Sequence, residues 1–259
     1  MARKTQFNLF IKDEFCVSLT ILNHRTSYVS MWFKFLLFCN IINYMKIKIC
    51  GMKFPENIQE VADLKPDYLG FIFYNKSKRY ALDENREAFS DFIFQDSIRI
   101  QKVGVFVNEE IKNIIRIATE FDINFIQLHG DETPEFCEDL QLLGFKIIKA
   151  FGINEDFDFA VLGEYEDVCD YFLFDTKSKE YGGTGKHFDW SLLKQYDNTK
   201  PIFLSGGLEI QDIPIIHDLL KDINIHALDF NSKLEMDYGL KDVEKCSIVI
   251  QQCNNVTMK

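Results

Sequence analysis

Two residues carry the clearest chemical potential. Cys50 closes the short apolar run KIKIC (46–50), directly before Gly51, and Asp175 stands at the end of a second run, YFLFDT (171–176). A thiol has an ordinary pKa of about 8.5 and serves as a base when a local positive field raises its thiolate fraction. A carboxyl group donates a proton when partial burial raises its pKa. Together they could move protons at two points of one substrate. Singly, each has a plainer use: a lone cysteine is a small buried hydrophobe, and a lone aspartate after a strand is a cap or loop acceptor. The same holds for Arg79 in NKSKRY and His129 in QLHG. One reads equally as a solvated surface charge, the other as a satisfied core histidine.

Three loops have the makings of an anion site. In KEYGGTGKHFDW (179–190), Gly182, Gly183 and Gly185 let the backbone turn tightly and gather N–H groups at one place. SGGL (205–208) repeats the device with Gly206 and Gly207, and DFNSK (229–233) adds Ser232 and Lys233. GGTGK is not a nucleotide-binding P-loop, because Glu180 and His187 occupy places that motif reserves for Gly and Ser/Thr. Nor does it fit GxGxxG, so no dinucleotide is implied.

These residues need elements to hold them. From Met45 onward, short apolar strands alternate with helical segments. The strands are 46–50, 66–74, 101–108, 123–130, 145–151, 171–176, 201–207 and 225–231. Helical patterns cover 54–64, 83–93, 109–121, 131–144, 154–165, 188–196, 209–220 and 240–253, with Pro55 and Pro214 inside two of them. Such alternation indicates a parallel sheet. Eight pairs predict an α/β fold with a single closed (β/α)8 TIM barrel over residues 45–259. The rival is a doubly wound open sheet. In a barrel, chemistry sits at the C-terminal strand ends, where Cys50, His129, Asp175 and the loops after strands 6, 7 and 8 would meet.

The composition narrows the ligand. A formal net charge of −11 argues against nucleic acid, yet allows a small anion held by backbone donors. Seven scattered cysteines form no CxxC and no zinc-spaced cluster, which indicates reduced cytosolic thiols and no metal. Residues 1–44 lack Gly and Pro and form a non-barrel N-terminal extension. Their run YVSMWFKFLLFCNIINY is near the lower length for a membrane span, but Lys34 interrupts it. A start assigned too early, with Met45 opening the functional chain, is preferred over a peripheral extension or a membrane anchor.

At these stretches the chain resembles the phosphoribosylanthranilate isomerases of tryptophan biosynthesis. The resemblance rests on KICGM, DYLGFIFYNKSKRY, KVGVFVN, IQLHGDE, FLFDTKSKEYGGTGKHFDW, PIFLSGGL and ALDFNSKLE…GLKD, in the family's order. It implies a cofactor-free Amadori rearrangement of a small phosphosugar by a cytoplasmic monomer or homodimer, with no membrane association. It further implies Asp175 as general acid, Cys50 as general base, and Arg79 beside the anthranilate carboxylate. His129 and Asp229 would line the pocket, and Gly183, Gly185, Gly206, Gly207 and Ser232 would cradle the phosphate. Many members read SSGVE where this chain reads NSKLE, so Lys233 replaces a glycine. Alternatives are indole-3-glycerol-phosphate synthase, a sugar-phosphate epimerase, and a silent phosphosugar-binding barrel.

Overall fold

The first barrel strand shows how the sequence builds the fold. In β1 (Lys46–Cys50) the side chains alternate. Ile47 and Ile49 pack outward into the main core, while Lys48 and Cys50 turn into the barrel. The same alternation runs through β2 (Tyr68–Ile72), β3 (Gln101–Phe106), β4 (Phe125–Leu128), β5 (Lys146–Ile153) and β6 (Tyr171–Thr176). With β7 (Ile202–Leu204) and β8 (Ile225–Phe230) they form a closed parallel barrel in chain order, β8 pairing back onto β1. The computed structural model describes residues 5–11, 15–21, 43–82, 100–177, 188–219, 221–255 and 257–258. The sequence-predicted helix 83–93 and most of the glycine loop 179–190 lie outside them, as does the apolar run at 28–42.

Outside the barrel, α1 (Pro55–Asp63) opens on a proline, whose missing N–H costs nothing in a first turn. It buries Ile58, Val61 and Ala62 at helical spacing. α2 (Ile111–Glu120) does so with Ile114, Ile117 and Ala118. α3 (Pro134–Leu142) is capped by Thr133, which accepts from Phe136 N. α4 (Ile213–Leu219) follows a 3₁₀ turn at Ile210–Asp212, which places Pro214 harmlessly in its first turn. α5 (Val243–Asn254) is capped by Asp242.

Two predicted helices are instead 3₁₀. At Phe159–Tyr165 the inward side chains fall three apart (buried Leu162 between partly buried Phe159 and Tyr165), as they do at Trp190–Gln195 with partly buried Trp190 and buried Leu193 and Tyr196. In a 3₁₀ turn a three-residue repeat lines up directly along one face. The predicted helix at 240–253 begins late, because Leu240–Lys241 pairs with Glu235–Asp237 in a short hairpin.

The barrel floor is aromatic. Tyr68, Phe125, Tyr171 and Phe203 meet largely edge to face, with His226 among them, its Nε2 2.8 Å from the Tyr68 hydroxyl. Chemistry is thus confined to the opposite mouth. The chain divides into two compact units, Met1–Asn43 and Tyr44–Lys259, one residue before the boundary read from the sequence. In the first unit, Thr5–Ile11 and Phe15–Ile21 pair as an antiparallel hairpin.

Candidate active site

The C-terminal mouth is an open pocket lined by Cys50, Arg79, His129, Asp175, Asp229, Gly206, Gly207 and Ser232 among others. Eight residues singled out in the sequence therefore share one cavity. Gly183 and Gly185 lie outside the described residues.

Cys50 sits at the end of β1 opposite Gly70 of β2. A Cβ on Gly70 would stand 2.7 Å from the Cys50 sulfur and 3.1 Å from its Cα, so only glycine leaves the thiol its place. Burial pushes the thiol up from its ordinary value, while the Lys48 ammonium and, more weakly, Lys241 pull it down. Lys48, two residues back on the same inward face, is fully buried and donates to Asp229 Oδ2 at 2.9 Å. Burial works to lower the Lys48 ammonium, but Asp229 and Cys50 outweigh it and the net shift is upward. Asp229 is raised by burial, against the pull of Lys48.

Asp175 stands across the mouth at the end of β6. Its Oδ1 accepts from Thr176 N at 2.7 Å, and its Oδ2 is 3.5 Å from His129 Nε2. The Gln127 amide nitrogen lies 2.8 Å from His129 Nδ1. That contact leaves Nε2 as the ring nitrogen that faces Asp175. Glu132 pins the backbone of this loop. It accepts from Asn108 N at 2.8 Å and Gly130 N at 2.9 Å, and pairs with buried Lys149.

Gly206 turns with φ +100°, and a Cβ there would lie 2.5 Å from Thr176 Oγ1 and 2.9 Å from Thr176 N. That close approach brings the loop after β7 against the Asp175 segment. Lys233 does not extend toward an anion unpaired, because its ammonium meets the Glu209 carboxylate. Arg79 is likewise engaged: Glu235 takes its Nε and Nη2, leaving Nη1 with no hydrogen-bond partner among the described residues. Glu235 is held in turn by Lys241, which also donates to Asn231 Oδ1 at 2.8 Å.

The sequence reading missed Lys48, Gln127, Glu132, Asn231, Glu235 and Lys241. Lys48 had a signal, a charge inside an apolar strand at the register of Cys50. Glu235 and Lys241 had none beyond lying in quoted stretches. Two acceptors at the mouth, Asp229 Oδ1 and Gln127 Oε1, are buried without a partner among the described residues. No group of His, Cys, Asp and Glu among the described residues could hold a metal.

Comparison with known proteins gives this geometry its context. A family model described as N-(5′-phosphoribosyl)anthranilate isomerase matches residues 47–252. The enzyme of that name from Parabacteroides distasonis is 42% identical over 208 residues, 80% of this chain and 93% of that one. The Caldanaerobacter subterraneus enzyme is 37% identical over 213 residues, 82% and 99% of the two chains. Among solved structures, the Thermotoga maritima phosphoribosyl anthranilate isomerase is similar with TM-score 0.70 and 33% identity, covering 82% of this chain and 99% of its own. A further isomerase structure, in complex with reduced 1-(o-carboxyphenylamino)-1-deoxyribulose 5-phosphate, matches with TM-score 0.68 and 30% identity over 82% of this chain and 99% of that one. The chain belongs to the N-(5′-phosphoribosyl)anthranilate isomerase family and is an intramolecular aldose–ketose isomerase of tryptophan biosynthesis.

Proposed function

We propose that Cys50 and Asp175 are the base and acid with which this barrel converts N-(5-phosphoribosyl)anthranilate to 1-(o-carboxyphenylamino)-1-deoxyribulose 5-phosphate. The observation that carries the assignment is the shared mouth: a thiol from β1 and a carboxyl from β6 face one cavity beside the Gly206–Gly207 turn. Asp175 gives a proton to the furanose ring oxygen. The bond from that oxygen to C1′ breaks, and the amine lone pair closes a C=N bond, forming a protonated Schiff base. The Cys50 thiolate then takes the C2′ proton. The C–H electrons form C1′=C2′, the C=N pair returns to nitrogen, and the enolamine tautomerises to the ketone.

The remaining residues bind. Gly206, Gly207 and Ser232 offer donors to the phosphate, with Gly183 and Gly185 assigned to the same cradle by resemblance. Arg79 Nη1 faces the anthranilate carboxylate, and His129 holds Asp175. Asp229 Oδ1 accepts from a sugar hydroxyl. No cofactor takes part. A monomer or homodimer in the cytosol fits the five free cysteines among the described residues.

Purified protein should quench anthranilate-type fluorescence as it consumes substrate generated in situ. Cys50→Ala and Asp175→Asn should each lose about 10²- to 10⁴-fold in kcat. Normal turnover by both variants would overturn the assignment.

A further inference from the structure

Lys48 is an expensive residue to keep. It is fully buried, and Asp229 meets it with one carboxylate oxygen while the other has no partner among the described residues. A buried ion pair adds little net stability over an apolar pair of the same size. Its position is more informative. Lys48 and Cys50 lie two apart on the inward face of β1, and Asp229, whose carboxylate holds the Lys48 ammonium at 2.9 Å, lines the same mouth as Cys50.

The groups around that sulfur come from every side of the mouth. β1 gives Lys48 and β8 gives Asp229, which in turn feels Asp175 and His129 from β6 and the loop after β4. The hairpin gives Lys241, paired with Glu235, and Glu235 also binds Arg79. Charge at the sulfur is therefore a balance in which Lys48 is the cation that weighs most and Asp229 its opponent. When the thiol loses its proton, Lys48 must divide its charge between a carboxylate and a thiolate.

We propose that Lys48 is a positioning residue for the general base: clamped by Asp229 beside the sulfur, its ammonium supplies the counter-charge that lets Cys50 work as a thiolate. Asp229 sets how much of that charge the sulfur feels. This inference rests on Cys50 being the base.

The two partners of one ion pair should then act in opposite directions. The rate of Cys50 alkylation by iodoacetamide, read by peptide mass spectrometry across a neutral-to-alkaline pH series, reports the thiol directly. Lys48→Met should move its midpoint up by about one to three pH units. Asp229→Asn should move it down, and Lys48→Arg should stay near the parent. The limb of the kcat/KM profile that reports the base should shift with the alkylation midpoint.

A pair that only braces the barrel would shift the midpoint the same way in both variants, or in neither. Either result overturns the proposal. If Lys48→Met does not fold, Asp229→Asn and the neutral double variant Lys48→Met/Asp229→Asn remain. Failure of Asp229→Asn to lower the midpoint, or a double variant with the thiol acidity of the parent or lower midpoint, sinks the idea. Alkylation needs no turnover, so the two readings separate. Normal turnover by Cys50→Ala with the opposed shifts intact would remove the base assignment alone.

Discussion

Arg79 and Glu235 form a two-pronged ion pair, Nε 2.8 Å from Oε1 and Nη2 2.7 Å from Oε2. Glu235 also takes Lys241 Nζ at 2.8 Å and Gly239 N at 3.1 Å, so the hairpin fixes it before Arg79 arrives. One edge of the guanidinium is thereby engaged, and Nη1 has no hydrogen-bond partner among the described residues. Glu235→Gln loosens that orientation without removing Arg79. Loss of a well-aimed charge-assisted hydrogen bond should raise KM by about ten- to a hundredfold, with kcat changed less. Steady-state kinetics checks this. An unchanged KM would mean that Arg79 does not hold the substrate carboxylate.

Gly70 makes the opposite prediction. An added Cβ would press on the Cys50 sulfur and Cα, and the backbone there is fixed by parallel pairing of β1 with β2. Gly70→Ala should displace the thiol and leave the binding loops alone. A misplacement of about 1 Å costs about 10²-fold in rate, so kcat should fall by that order with KM little altered. Single-turnover measurement would place the loss in the chemical step.

What the sequence disclosed follows from what is local. Apolar alternation made the strands visible, and their count fixed the barrel. The placing of Cys50 and Asp175 at one mouth was legible because each closes an apolar strand. The partners were hidden by separation in the chain: Asp229 is 181 residues from Lys48, and Glu235 is 156 from Arg79. A lysine inside KIKIC shows its charge but not the carboxylate across the barrel. The 3₁₀ turns were misread because a spacing of three also occurs within an amphipathic helix. Whether Lys233 adds charge to the phosphate site or points away was open in the sequence, since nothing in NSKLE reveals Glu209 in the neighbouring loop.

The barrel floor carries a pH signature. Burial, with a smaller push from Lys46, lowers His226 from 6.5 to about 4. Between those values the unfolded chain holds a proton that the folded chain refuses. Stability therefore rises with pH across this window and is fully present above the ordinary histidine value. Below about 4 the contribution is gone. His226→Gln should flatten the dependence there. Denaturant midpoints at a series of pH values, compared between parent and variant, would show it. Equal slopes would exclude His226 as the source.

The last prediction concerns the first unit. The matched family region is 47–252, and stretches of 208 and 213 residues of this chain cover 93% and 99% of two relatives. The two units divide at Asn43, and Met45 already belongs to the barrel core at 2% exposure. A chain opening at Met45 should therefore keep the parent kcat and KM. Met45→Ala in the full chain should cost about 2 to 5 kcal/mol, the range for emptying a buried methionine site. Together these outcomes would place the working boundary between residues 43 and 45. Lost activity in the shortened chain, with its fold intact by circular dichroism, would show that the extension serves the site and is more than an appendage.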